Sequence, residues 1–267
     1  MVVEEITKRT KKPVVKSDIV KGLRKLGIEN VELLMVYTDL SKFDYVIGGA
    51  QTVIEAIYEV AGFHTTIVMP SHRLTGPCPT FFEQTLPKEW QNIIKKQTPA
   101  FDVSLTPVYA GEVASAFAKL PNIHRSEHPV ASFIAAGRKA DWYMKNHRLN
   151  SMFGEGSPLQ KLYAQDAKVL CLGTSYEELT ALHLAHYFAN SCPVVKHEAV
   201  ILNHGKRTLV SYEDLALNSA VFNEIGQAYE QATVQVQNIE VGNALCQLHD
   251  FRTLVDFATS YLSQSKK

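Results

Sequence analysis

A strand, a helix and a second strand follow one another between residues 31 and 70, and this order constrains the fold more than any other feature. The run VELLMVYT is short, apolar and rich in branched side chains, which is typical of a buried strand. The segment GGAQTVIEAIYEVAG opens after two glycines and predicts an amphipathic helix with Val53, Ile54, Ile57 and Tyr58 turned inward. The run HTTIVMP predicts another strand, which Pro70 ends. This alternation favours an α/β fold with a parallel portion of sheet.

The rest of the chain extends the pattern without a repeat or a linker. KVLCLG is the clearest buried strand, and the segment after it predicts a helix over residues 174–190. Alternating apolar positions around the turn Asn203–Lys206 predict a hairpin, and two helices close the chain. Residues 71–111 are rich in proline and predict a long irregular loop of the kind often used for binding. We therefore expect a single domain over residues 1–267.

Charge and hydropathy exclude several classes of protein. Lys+Arg and Asp+Glu balance at 27 each, so no overall field attracts nucleic acid or an anionic membrane. No window approaches the roughly 20 apolar residues of a membrane span, and the charged N-terminus lacks a signal-peptide core. The four cysteines are scattered without CxxC spacing, and Cys171 lies in the apolar run KVLCLG. These features predict a cytoplasmic, reduced protein without a nucleic-acid or membrane partner.

Two histidines, His183 and His186, lie in the otherwise apolar segment ELTALHLAHYFAN. Their spacing fits a metal pair only loosely, and neither an HExxH pattern nor a cysteine cluster accompanies them, so we expect no metal. Two readings stay open from the residues alone. A buried histidine can be a hydrogen-bonded core side chain, or a neutral imidazole that serves as a general base.

Three further segments could carry chemistry, and each has a simpler alternative. The turn GGAQT at Gly48–Thr52 could present free helix N–H groups to a phosphate, or could be an ordinary packing turn. Arg125 and Ser126 could hold phosphate oxygens, or could lie in a solvated loop. Glu155, between two glycines, could orient a base or simply be exposed. Rossmann, Walker and G-x-S-x-G spacings do not occur, which disfavours dinucleotide, P-loop and elbow-hydrolase sites.

Taken together, the segments resemble the antibiotic N-acetyltransferase family, typified by the aminoglycoside 3-N-acetyltransferases. The order and spacing fit over roughly residues 15–260. The motifs that carry the resemblance are VIGGAQTVIEAI, TIVMP, PAFDVSLTPVYAGEVASAF, HRSEHPVASFIAAG, FGEGSPLQKLYAQDAKVLCLG, LTALHLAHY, EIGQAYE and VGNAL.

The resemblance implies a three-layer α/β/α fold with a mixed sheet, distinct from the GCN5-like acetyltransferases, and acetyl-CoA as co-substrate. It implies His183 as the base that acts on a small-molecule amine, and Glu155 is our choice for a nearby acid. His186 would then serve in packing or hydrogen bonding. The residues implied to hold coenzyme A are Thr38, Asp39, Leu40, Gly48, Gly49, Ala50, Arg125 and Ser126.

Departures from the family pattern motivate a second hypothesis. The usual His-Ser-Ser-Leu reads Tyr-Thr-Asp-Leu here, which places the charge of Asp39 near the expected cofactor site, and Ala164 replaces a frequent acidic residue. The chain could therefore be a catalytically altered member that acts as a ligand-binding or interaction protein. Under the first hypothesis, a polycationic acceptor requires carboxylates around its pocket. The candidates are Glu83, Asp102, Glu177 and Glu178.

Overall fold

A mixed β-sheet forms the middle layer of the structure, a computed structural model that describes residues 6–8, 10–72, 87–233 and 236–264. Within those ranges seven strands form this sheet in the order β3-β4-β2-β1-β5-β9-β8, and β6 and β7 form a separate hairpin. The strands are β1 Leu33–Thr38, β2 Thr66–Pro70, β3 His124–Arg125, β4 Phe133–Ala136, β5 Lys168–Leu172, β6 Val194–Asn203, β7 Lys206–Leu215, β8 Gln237–Val241 and β9 Ala244–Asp250.

The centre of the sheet is parallel and its edges are antiparallel. β1 pairs in parallel with β2 and with β5, whereas β4 and β9 pair antiparallel with β2 and β5. The helix between β1 and β2 lies where the strand–helix–strand pattern predicts it. The α/β fold with a mixed sheet is therefore confirmed.

Helices cover both faces of the sheet. They are α1 Lys16–Leu26, α2 Gly49–Ala61, α3 Lys88–Gln97, α4 Glu112–Phe117, α5 Ala140–Met144, α6 Pro158–Ala164, α7 His183–Ala189, α8 Phe222–Ala232 and α9 Phe251–Gln264. Short 3₁₀ turns occupy Leu40–Phe43, Tyr176–Glu178 and Thr180–Leu182. No described helix has the length and apolar character needed to cross a bilayer.

The pleat of β1 divides the interior into two cores. Leu34 and Val36 pack with α1, α2 and α4 on one face, whereas Met35 and Tyr37 pack with α6, α7, α8 and α9 on the other. This alternation follows from the two-residue period of a strand that is buried on both sides. The predicted three-layer arrangement is thus present.

Three segments differ from the sequence-based prediction. Residues 71–111 contain a helix, α3, that the proline-rich composition obscured. Residues 174–190 do not form one helix, because two 3₁₀ turns precede α7. Residues 237–250 form the strands β8 and β9, part of which the prediction assigned to the last helix.

Candidate active site

A cleft of about 700 Å³ opens at the carboxyl ends of the parallel strands. Thr38 ends β1, Pro70 ends β2, and Thr174 follows β5. Ligands of open α/β sheets commonly bind at this edge, where the connections diverge. The described residues that line the cleft are Tyr37, Thr38, Asp39, Leu40, Ser41, Pro70, His72, Tyr109, Ala110, Gly111, Glu112, Thr174, Glu177, Glu178, Thr180, His183 and Ser219.

The charged side chains of the described lining are carboxylates. Four carboxylates belong to it, and the described lining contains neither lysine nor arginine. A concave surface with charges of one sign focuses the electrostatic potential and raises the local concentration of oppositely charged ligands. The cleft is therefore suited to a cationic ligand. The carboxylates are those of Asp39, Glu112, Glu177 and Glu178.

His183 is the first residue of α7, and its buried side chain lines the cleft. Its side chain is 1% exposed and stacks on Phe153 with ring centroids 5.3 Å apart, while the Phe222 ring lies 4.8 Å away. Its Nδ1 has no hydrogen-bond partner among the described residues. Burial, reinforced by the neighbouring His186, lowers the pKa of His183 well below its ordinary value. The imidazole is therefore neutral and able to accept a proton.

Tyr37 fixes the turn that delivers His183 to the cleft. The Ala181 N–H donates to the Tyr37 hydroxyl over 2.8 Å, and that hydroxyl lies 2.9 Å from Thr180 Oγ1. Burial raises the pKa of Tyr37 well above its ordinary value, so the phenol keeps its proton. These bonds hold the turn Thr180–Leu182 against the end of β1.

A buried carboxylate, Asp214, holds the backbone next to Phe153, whose ring stacks on His183. The Met152 N–H donates to Asp214 over 2.7 Å, and the Tyr187 hydroxyl donates to the same carboxylate over 2.8 Å. A Cβ on Gly154 would lie 2.3 Å from the Tyr187 ring, so the first glycine of GEGSP is required by close packing. The glycine-rich motif thus allows the close packing that supports the wall of the cleft.

His186 is held by hydrogen bonds and does not line the cleft. Its Nε2 lies 2.9 Å from the Asn218 carbonyl, which can only accept, so Nε2 carries the proton. Its Nδ1 then accepts from the Ser191 hydroxyl at 2.6 Å, with Cys192 Sγ at 3.3 Å. The two histidines of ELTALHLAHYFAN therefore differ. His183 lines the cleft, whereas His186 joins α7 to the segment before α8.

The first expected cofactor-binding group lies in the cleft. Thr38, Asp39 and Leu40 all belong to its lining. The Asp39 carboxylate accepts from the Ser41 N–H at 3.0 Å and the Ser41 hydroxyl at 2.6 Å, and so caps the turn Leu40–Phe43. That these three residues hold coenzyme A stays a prediction.

The second expected group lies outside the described lining. Gly48, Gly49 and Ala50 form the start of α2, and Gly48 adopts a left-handed φ of 82°. A Cβ at Gly48 would lie 2.3 Å from Thr52 Oγ1, so the glycine is explained by local packing. The structure does not bring this turn to His183.

Arg125 and Ser126, the third expected group, lie outside the lining of the cleft. The Arg125 guanidinium donates to the Thr106 carbonyl, to the Pro107 carbonyl over 3.4 Å and to Ser132 Oγ over 3.2 Å. Burial lowers its pKa to about 10. Ser126 is fully buried and accepts from the Phe133 N–H over 2.9 Å. Both side chains are engaged in the fold, and neither lines the cleft.

Glu155 is also placed away from His183. Its side chain is 72% exposed and forms an ion pair of 3.0 Å with Arg148. A carboxylate on the surface cannot contact the Nδ1 of a buried imidazole. The structure therefore does not support the choice of Glu155 as the acid beside the base.

Sequence reasoning overlooked His72, Tyr109 and Glu112, which all line the cleft. A signal existed for His72, because it follows β2 at the edge where the parallel strands end. Among the carboxylates considered for an acceptor, Glu177 and Glu178 do line the cleft. Asp102 instead accepts from backbone N–H groups of its own turn, and Glu83 lies outside the described residues.

Comparison with known proteins agrees with this architecture. The profile of the family described as aminoglycoside 3-N-acetyltransferase matches residues 35–263. YokD of Bacillus subtilis, an aminoglycoside N(3')-acetyltransferase-like protein derived from the SPbeta prophage, is 34% identical over 97% of this chain and 96% of its own length. Aminoglycoside N(3)-acetyltransferase IX of Micromonospora chalcea is 32% identical over 79% of this chain and 76% of its own length.

Solved structures share the whole fold. The crystal structure of Bacillus subtilis YokD has a TM-score of 0.92 at 33% identity, with 99% of each chain covered. AAC-VIa bound to sisomicin has a TM-score of 0.80 at 28% identity, covering 95% of this chain and 99% of that one. Sequence profile, relatives and fold lead to one conclusion: the chain belongs to the aminoglycoside 3-N-acetyltransferase family of CoA-dependent N-acetyltransferases.

Proposed function

We propose that this protein transfers the acetyl group of acetyl-CoA to a primary amine of an aminoglycoside or a related polycationic amine. The observation that carries the proposal is the acidic cleft with a buried, neutral imidazole in its wall. Relatives named aminoglycoside N(3)-acetyltransferases and the sisomicin-bound AAC-VIa support the same substrate class.

The carboxylates of the cleft favour the acceptor over the charged part of the donor. Ammonium groups of a polycation are attracted by Glu112, Glu177 and Glu178, whereas phosphates are repelled. The uncharged thioester arm of acetyl-CoA is therefore the part of the donor that fits beside His183. We place the phosphates outside the described lining, because that lining has no cationic side chain to pair with them.

His183 acts as the general base in the proposed reaction. An alkylammonium must lose a proton before its nitrogen can attack a thioester carbonyl, and the neutral imidazole takes it. Attack forms the C–N bond, and collapse of the tetrahedral intermediate breaks the C–S bond. Overall, ammonium and thioester give amide, thiol and one proton that passes to solvent. Holding both substrates together supplies much of the rate.

The lowered pKa of His183 sets a limit on this role. The ring is unprotonated at neutral pH, which is the state that a base requires, but it is a weak base. No carboxylate contacts its Nδ1 among the described residues, so no charged partner stabilises the imidazolium. This observation favours the second candidate function, a ligand-binding protein of altered catalysis.

An assay of thiol release separates the two functions. Purified protein is mixed with acetyl-CoA and sisomicin, free thiol is followed with a disulfide reagent, and the product is identified by mass. The proposal predicts saturable thiol release and an acetylated amine. Binding of coenzyme A in calorimetry without any acetylated product would instead identify a ligand-binding protein.

A further inference from the structure

His72 is a second buried imidazole in the wall of the cleft. It lies two residues beyond the end of β2 and is 7% exposed. Its ring contacts Phe153, with centroids 5.3 Å apart, and Phe153 also stacks on His183 at 5.3 Å. The two imidazoles thus flank one aromatic ring and line one cleft. The proposed proton transfer involves only His183.

The hydrogen bond to Ser132 fixes the tautomer of His72. Its Nδ1 lies 2.7 Å from the Ser132 carbonyl oxygen, which can only accept, so Nδ1 carries the proton. Its Nε2 therefore presents a lone pair and has no hydrogen-bond partner in the described structure.

The residue that orients His72 is itself held in place. Ser132 Oγ lies 2.7 Å from Ser71 Oγ and accepts from the Arg125 guanidinium over 3.2 Å. The Ser71 N–H donates to the Ser132 carbonyl over 3.0 Å, so the segment before β4 is fixed against the end of β2. Arg125 therefore anchors this wall of the cleft through Ser132.

We propose that His72 is a binding residue for the acceptor, whose ammonium or hydroxyl group donates a hydrogen bond to Nε2. This inference rests on the proposed function. A fixed lone pair can pair only with a hydrogen-bond donor. The thioester carbonyl, the thiolate and the phosphates of coenzyme A are acceptors, so the amide and hydroxyl groups of its arm are the competing donors, and KM for acetyl-CoA separates them from the amine. An amine substrate supplies donors, and a buried acceptor left without one is unfavourable.

A polyamine can contact both imidazoles at once, because it carries several nitrogens. One nitrogen faces His183 and reacts, while another polar group of the same molecule meets His72. Burial lowers the pKa of His72 to about 4, so the ring stays uncharged at neutral pH and does not repel an ammonium. Such a contact orients the acceptor, and a substrate that lacks the donor group binds less well.

The test uses substitutions that separate the two nitrogens of the ring. In His72→Asn, the side-chain amide keeps a donor near Ser132 and loses the acceptor at Nε2. We expect KM for sisomicin to rise about tenfold, while KM for acetyl-CoA and the melting temperature stay close to wild type. In His72→Gln, whose amide oxygen reaches further, we expect a partial return of the KM for sisomicin.

His128→Asn is the matched control. His128 is buried, and its Nε2 lies 3.0 Å from the Leu149 carbonyl oxygen. It is not part of the cleft lining. Loss of stability without a change in KM for sisomicin is the expected result for this variant. An equal rise of KM in the His128 and His72 variants would overturn the proposal, since it would report a general effect of removing a buried imidazole.

Direct binding keeps this inference distinguishable from the proposed function. Calorimetry with sisomicin alone needs no acetyl transfer. Weaker binding by His72→Asn supports the inference even if wild-type protein releases no thiol, whereas full turnover with identical KM values in wild type and His72→Asn overturns the inference alone. Equal calorimetric affinity in the two proteins also contradicts it.

Discussion

Removing one oxygen atom from Tyr37 should weaken both the fold and the reaction. In Tyr37→Phe the ring keeps its place in the core, but the Ala181 N–H loses its acceptor at 2.8 Å and Thr180 Oγ1 loses its neighbour at 2.9 Å. These two groups belong to the turn that leads directly into His183. The substitution therefore tests whether this turn holds the base in position.

The expected loss in the free energy of unfolding depends on how buried the Ala181 N–H and the Thr180 hydroxyl are. A buried N–H without an acceptor costs about 1–3 kcal/mol, whereas the Thr180 hydroxyl lines the cleft and can meet water. We expect a loss of about 2 kcal/mol in the free energy of unfolding, which corresponds to roughly 4–8 °C in melting temperature for a chain of this size. Because a small misplacement of a reacting group is costly, kcat should fall about tenfold.

Thermal melts and steady-state kinetics check this prediction against Tyr143→Phe. Tyr143 is also buried in the core that contains Tyr37, but it borders a small depression at the opposite edge of the sheet. The control should lose less than about 0.5 kcal/mol and keep its kcat. Equal melting temperatures and equal kcat in the two variants would refute the idea that the Tyr37 hydroxyl supports the base.

Two further predictions concern buried cations and imidazoles. Arg125→Lys should lower the melting temperature by several degrees, because one ammonium cannot replace the guanidinium that donates to the Thr106 and Pro107 carbonyls. KM for acetyl-CoA should change less than about twofold. A large rise in that KM would show that Arg125 does bind the cofactor. Burial lowers the pKa of His72 to about 4 and that of His128 to about 3. The unfolded chain binds protons at these histidines below about pH 6.5, whereas the folded chain does not until pH falls towards 4. The free energy of unfolding is therefore highest above pH 6.5 and decreases as pH falls from 6.5 towards 4. Chemical denaturation should therefore give a free energy of unfolding that decreases by several kcal/mol between pH 7 and pH 5, and a flat profile would contradict it.

The central architecture could be predicted because its signals are local. β1, α2 and β2 are short, strongly patterned segments, and burial on both faces gives continuous apolar runs. The strands β8 and β9 were missed, since Gln237–Val241 is mostly polar and lies at the sheet edge. The Gly242 turn, with a left-handed φ of 60°, was the available hairpin signal. That residues 1–267 form one domain stays a prediction.

The site was predictable only where sequence position determines it. The resemblance implied Thr38, and Thr38 lies in the cleft because it ends β1 at the edge where the parallel strands end. Loop residues follow no such rule. Arg125 was expected to bind a ligand, yet its guanidinium satisfies carbonyls of a distant loop, and Glu155 found a surface partner in Arg148. Composition cannot distinguish a charged group held by the fold from one offered to a substrate.

The most direct test of His183 as the general base is the kcat of His183→Ala with saturating acetyl-CoA and sisomicin. Loss of a positioned general base lowers kcat by about 10²–10⁴-fold, and KM for the donor should change little. His186→Ala provides the comparison, because that ring is hydrogen-bonded to Asn218 and lies outside the cleft lining. A kcat in His183→Ala equal to that of the wild type would contradict the central claim, since it would show that another group accepts the proton.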